Sequence, residues 1–178
     1  MAWFWYFVIY SFLGFLLEVV YARLTHSRKP DRKCFLLLPL CPVYGLGALG
    51  ILIAAQIFYD RPLLLAIVGG GAATAAEYLM DLFYEKVLGV SFWDYSDLPF
   101  NINGRVCLPF SLAWTVLALG LVYLLHPWVA VLTAYVPAGF LPPTVILLAS
   151  DAVISGWLLR TTGTTDSLKW YEGEKKTF

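Results

Sequence analysis

The chain has 178 residues, of which 60% are hydrophobic, 17% aromatic and 13% charged, with a mean hydropathy of +0.74 and no net charge. A soluble domain carries about 25% charged residues, because a small protein cannot bury most of its area, so a soluble globular enzyme and a disordered chain are both excluded. Twelve basic residues against twelve acidic ones leave no basic surface for nucleic acid, and the composition is that of an all-α integral membrane protein.

A spanning helix needs about 20 mostly apolar residues. Five stretches qualify, at about 3–24, 36–58, 62–88, 106–125 and 142–159. They predict a compact bundle of five transmembrane helices in a single domain over 1–160, followed by a short cytoplasmic tail, 161–178. The first stretch lacks the basic lead and small-residue cleavage site of a signal peptide, so it reads as a retained span. Its Trp3, Trp5 and Tyr6 suit an aromatic belt at the outer interface, or are lipid-facing bulk. Pro39-Leu-Cys41-Pro42-Val-Tyr44-Gly45-Leu-Gly47 opens the second stretch, where Pro42 suits a first helical turn and the glycines allow another backbone to come close. The third carries Gly69, Gly70 and Gly71 with Ala73, Thr74 and Ala75 at four-residue spacing, a pattern for close packing inside one chain, with dimerisation as the second choice. No Asp, Glu, Lys or Arg occurs between Arg105 and Asp151. His126-Pro127 reads as the top of a hairpin, and the short apolar run Pro127–Leu141, bounded by prolines, as interfacial or re-entrant.

Basic residues stay on the cytoplasmic side. With the N-terminus outside and the C-terminus inside, eleven of the twelve fall on the inner side and only Arg61 on the outer. Cys34, Cys41 and Cys107 then lie near the reducing compartment, where a structural disulfide is not expected. The expected location is the inner (plasma) membrane, as a multi-pass protein in contact with lipid, with a homodimer or a partner membrane subunit left open.

The most informative residues are acids placed where a membrane disfavours them. A carboxylate at the bilayer centre costs roughly 2.5–3.5 kcal/mol on insertion scales. Glu77, Asp81 and Glu85 recur every four residues and form one stripe on the third helix. Their repulsion calls for a cationic partner, a bound cation, or protonation of at least one of them. Glu85 is shallow enough to be solvated at the headgroups. Glu18, Glu77, Asp81 and Asp151 all fall in the inner half, which one shared inward-facing polar cavity explains; for Asp151 the alternative is a helix–helix hydrogen bond with Ser150, Ser155 or a tyrosine. The inner loop from Ser91 to Ser111 is rich in aromatics and amides, so it is expected to dip against the bundle as a re-entrant or interfacial segment. Within it, Asn103-Gly104 favours a tight turn of positive φ. Arg105 either neutralises the acids, grips an anionic headgroup, or snorkels to lipid phosphate.

The strings LCPVYGLG (40–47), a mid-helix glutamate (Glu77) and WDYSDLPFNINGRVCLPFSLAW (93–114) resemble the small bacterial multi-pass family known as putative ABC-transporter type IV. The resemblance covers at least Tyr10 to His126 and implies a membrane component of a transporter. The sequence departs from the family pattern at Cys34, Leu38 and Thr115, where glycine is expected.

Three functions fit. The first is a small transport protein or permease-like component whose acidic cavity binds a cation, a proton or a polar substrate. The second is an intramembrane enzyme acting on a lipid or lipid-linked substrate at the inner leaflet, although no catalytic or nucleotide-binding motif is present. The third is a non-catalytic accessory subunit of a membrane complex. The candidate binding residues are Glu18, Tyr44, Glu77, Asp81, Asp94, Tyr95, Asn101, Asn103, Arg105 and Asp151. No cofactor is expected, with a divalent cation at Glu77 and Asp81 left open.

Overall fold

The computed structural model describes residues 1–25 and 34–169. Arg28, Lys29, Arg32, Lys33, Lys175 and Lys176, which bear on the orientation reading, lie outside the described residues.

The described chain is helical, with no strand beyond an isolated bridge between Ile102 and Val106. The first helix runs Ala2–Leu24, the second Pro42–Phe58 and the third Pro62–Phe83, which continues as a π turn over Tyr84–Leu88. The fourth runs Leu108–Ala134 and the fifth Leu141–Thr162, entered through a 3₁₀ turn at Ala138–Phe140. Among the described residues, four helices are long and apolar enough to cross a membrane, while Pro42–Phe58 is apolar but has 17 residues. Proline stands in the first turn of the second, third and fifth helices, where its missing N–H costs nothing.

The first four helices pack in sequence order around a core of Tyr10, Ile51, Leu65, Ala73, Trp114 and Ala118. Glycine allows the close crossings. A Cβ at Gly14 would collide with the Tyr44 side chain, and one at Gly45 with Ser11 Oγ; both lie between the first two helices. Third and fourth helices meet where a Cβ at Gly70 would lie 2.8 Å from the Thr115 Cα, so the threonine standing at an expected glycine rests on a glycine opposite. Gly71 has nothing within 4 Å and takes no part in this packing. The fifth helix is joined to the rest mainly at one end, where Leu159 packs with Tyr84, Leu88 and Leu168. Trp5, read from sequence as part of an interfacial belt or as lipid-facing bulk, is buried.

Three expectations are corrected. The second helix does not begin at 36: Phe35–Pro39 bends and helix starts only at Pro42. Pro39 and Pro42 supply no N–H, and the N–H groups of Leu37 and Leu38 are bonded to Asp151 rather than to a helical turn. The fourth helix does not stop at Leu125, and His126-Pro127 is not a hairpin. The helix passes through Pro127 because the preceding Leu121–Leu125 turn is π-wound, with the His126 N–H reaching the Leu121 carbonyl, and such a turn absorbs the bond that proline cannot make. Thus 127–134 is helix, and the reversal comes at Tyr135–Pro137. Finally, Cys34 and Cys41 form a disulfide, with Cα atoms 4.8 Å apart. Compartment arguments concern redox poise; here the folded-back segment between the second helix and its approach brings the two sulfurs together.

Candidate functional site

The loop carrying WDYSDLPFNINGRV is built by its own side chains. The Asp94 carboxylate accepts from the Ser96 N–H (2.9 Å) and hydroxyl (2.6 Å). Asn101 Nδ2 donates to the carbonyls of Ser96 and Leu98, and its oxygen accepts from the Gly104 N–H. Asn103 and Gly104 both take positive φ, 54° and 70°, and the Arg105 N–H closes the turn on the Ile102 carbonyl at 3.0 Å. That is the type I′ geometry that Asn-Gly favours. The Trp93 indole N–H donates to the Arg105 carbonyl (2.9 Å), and the Tyr95 N–H to the Gly104 carbonyl (2.8 Å). The loop thereby turns Tyr95 inward and sets Arg105 against the third helix.

A Cβ at Gly104 would lie 2.7 Å from both Asp94 Oδ1 and Ser96 Oγ, at a φ that other residues rarely adopt. Gly104→Ala is expected to cost about 1–3 kcal/mol and to loosen Tyr95, measurable as a lower melting temperature with weaker Trp93 burial in fluorescence. The two bonds from Ser96 also hold the Asp94 carboxyl below its ordinary value. Its contribution to the turn is therefore complete above the ordinary carboxylate value of about 4, and is lost as pH falls through the depressed folded value. An acid titration of Trp93 fluorescence should show this step in the parent and not in Asp94→Asn.

The third helix presents Glu77 and Asp81, both buried. Asp81 accepts from the Ser91 hydroxyl (2.8 Å) and stands 3.5 Å from Arg105 Nε, an ion pair without hydrogen-bond geometry. Arg105 Nη2 donates to Glu85 Oε2, and the guanidinium lies 5.5 Å from the Tyr78 ring centroid. Asn103 Nδ2 donates to the Tyr78 hydroxyl. The lower two acids of the stripe are thus met by a buried cation. Lys86 also pairs with Glu85.

Glu77 accepts from two side chains of the cavity wall. Tyr95 Oη donates to Oε1 (3.0 Å) and the Trp114 indole N–H to Oε2 (3.0 Å). Across a cavity of about 60 Å³, the Tyr44 hydroxyl donates to Glu18 Oε1 at 2.7 Å. Glu18, Tyr44, Glu77, Tyr95, Trp93 and Trp114 stand on its wall, as does the Cys34–Cys41 pair. The Tyr44 and Trp114 rings are 5.1 Å apart, and Tyr95 is stacked on Phe110 at 4.7 Å.

Four of the ten residues singled out by sequence therefore share the cavity: Glu18, Tyr44, Glu77 and Tyr95. Asp81 and Arg105 adjoin it as an ion pair, whereas Asp94, Asn101 and Asn103 shape the loop. Asp151 belongs elsewhere. Its two oxygens accept from the N–H groups of Leu37 and Leu38, each at 2.9 Å, and Oδ1 also accepts from Ser155 Oγ. It ties the fifth helix to the segment before the second. The residues missed were Trp93, Trp114 and Ser91. An indole in an apolar helix looks like bulk, and only the fold puts its N–H opposite a carboxylate 37 positions away. Among the described residues no group of three or more His, Cys, Asp or Glu could hold a metal ion.

Residues 5–156 match the family described as putative ABC-transporter type IV. No curated protein and no solved structure is detectably similar to the chain.

Proposed function

From the membership of the chain in the putative ABC-transporter type IV family, we propose that this transport-related membrane protein is a small permease-like component that takes a cation, a proton or a polar substrate into the cavity between Glu18 and Glu77. The observation that carries the reading is the pair of carboxylates, Glu18 and Glu77, on the wall of one cavity, with the Tyr44 hydroxyl donating to the first and the Tyr95 hydroxyl and Trp114 indole donating to the second. Purified protein in liposomes should give a flux, driven by a pH gradient, that protein-free liposomes lack; equal leak in the two would end the transport reading.

The reading places the protein in the inner (plasma) membrane with five crossings. Pro42–Phe58 is at the short end of what spans a bilayer, about 17–25 residues, and the folded segment before it adds depth. The N-terminus lies outside and the C-terminus inside, supported by the eleven-to-one division of basic residues. A fluorescent reporter that matures only in the cytoplasm should light up when fused at the C-terminus, and a phosphatase reporter active only outside should stay silent; the opposite pattern reverses the orientation.

One observation favours an accessory subunit as the second reading. Asp81, Glu85, Arg105 and Asp151 are all engaged in pairings that join elements of the fold. The enzyme reading has less support, since the amides of Asn101 and Asn103 are committed to Ser96, Leu98 and Tyr78.

A further inference from the structure

We infer that the Cys34–Cys41 pair is a redox-sensitive site: a small thiol reduces the disulfide in the folded protein, and reduction releases the clamp that holds the fifth helix to the bundle. The bond closes residues 34–41 into a short ring, with the two Cα atoms 4.8 Å apart. Three helices are fastened to that ring. The Cys41 N–H donates to the Ser11 carbonyl of the first helix at 2.9 Å, and Cys41 is itself the N-cap residue of the second. The N–H groups of Leu37 and Leu38 donate to Asp151 of the fifth helix, and Phe35 and Leu37 pack against the cluster of Tyr84, Leu88 and Leu159.

The ring matters because of what it must present. In extended backbone successive residues face opposite ways. The bend over Phe35–Pro39 is what turns two neighbouring N–H groups toward one carboxylate. A cross-link removes most other conformations of so short a segment. Without it, the ends at Cys34 and Cys41 are free to part, and the bend competes with many alternatives.

The chemistry is thiol–disulfide exchange. A thiolate attacks one sulfur and the other leaves. Cys41 stands at the N-terminus of the second helix, where the helix dipole favours negative charge, so it is the leaving sulfur and the thiol adds to Cys34. A second thiol attacks the sulfur that was added, releasing Cys34 and an external disulfide. In sum, one protein disulfide and two thiols give a protein dithiol and one small disulfide. Two electrons and two protons pass to the cysteines, and a small disulfide reverses the step. Both cysteines are otherwise buried and stand on the cavity wall, so the cavity is the approach. The orientation proposed above puts the pair on the cytoplasmic side, where disulfides are rare and usually transient, catalytic or redox-sensing.

The chain has three cysteines, and Cys107 is free and buried. Alkylation after denaturation therefore counts one thiol with the bond intact and three once it is reduced. The test treats the full-length protein in lipid nanodiscs with millimolar reduced glutathione, then with oxidised glutathione. The thiol count is expected to rise from one to three while the protein stays folded, and to return to one. Hydrogen exchange at Leu37 and Leu38, and in the turn of the fifth helix around Asp151, should speed up by at least about tenfold on reduction, with Ile51 and Leu65 in the core unchanged. Cys34→Ser should exchange like the reduced parent with or without glutathione, and Cys34→Ala takes its place if the serine variant folds poorly. A thiol count that stays at one until the protein is unfolded overturns the inference. So does reduction that leaves exchange at Leu37 and Leu38 unchanged, or a folded Cys34 variant that exchanges as slowly as the oxidised parent. A further tenfold rise in the fifth helix on reducing Asp151→Ala also overturns it, since the ring would then act by a route other than that aspartate.

Discussion

Replacing Arg105 by methionine will lower stability by about 3–5 kcal/mol, the cost of leaving a buried charge without its partner. The magnitude follows from where the partners sit. The Arg105 and Asp81 side chains are only 10% and 6% exposed, so Asp81 would keep a buried carboxylate facing Glu77 one turn above. The Glu85 contact adds less, because that side chain is 43% exposed and an exposed pair contributes about 0–1 kcal/mol. The double variant Arg105→Met with Asp81→Asn should regain much of the loss, since it removes the orphaned charge as well. Arg105→Lys should fall between, keeping the charge but losing the planar fork that reaches two carboxylates and lies near Tyr78. Reversible unfolding in mixed micelles measures all three. A methionine variant as stable as the parent would mean that Arg105 does not neutralise the stripe.

Asp151→Ala is expected to cost about 1–3 kcal/mol, because two half-buried backbone donors lose an acceptor and the loss for a fully buried one costs about 1–3 kcal/mol. The N–H of Leu38 donates to the aspartate, while that of Leu37 keeps Ser155 Oγ at 3.2 Å, which holds the total below twice the single cost. Asp151→Asn, which retains one acceptor oxygen, should be milder. The consequence is local as well as global. The fifth helix has few other ties to the bundle, so hydrogen exchange at Leu37 and Leu38 should speed up together with exchange in the neighbouring turn of that helix. Unchanged protection at both amides would contradict the tether.

These two residues also mark how far sequence could reach. Long apolar runs and the absence of charge from 106 to 150 placed the helices, because lipid requires every span to satisfy its backbone internally. The third-helix stripe followed from helical spacing, and the Asn103-Gly104 turn from the conformations those residues tolerate. What stayed hidden was non-local. Asp151 meets Leu37 and Leu38, 114 and 113 positions away, and nothing in an isolated aspartate says that its partner is backbone. The same holds for Trp114 and Glu77. Pro127 was misleading for a different reason. Proline normally kinks or ends a helix, and here a π turn in the preceding residues lets the helix continue; no residue pattern announces that turn. The shared cavity was inferred from depth alone, and depth cannot separate two acids that face one space from a third at the same level that faces another way.

The central claim is that Glu77 serves a transported species rather than the fold. The most direct measurement pairs flux with melting temperature in Glu77→Gln, in the same liposomes. Glutamine keeps the size of the side chain and an acceptor oxygen for Tyr95 or Trp114, so the fold should survive with a small change in melting temperature. Flux is expected to fall to the level of protein-free liposomes while the protein remains folded. Parental flux in the folded variant would contradict it.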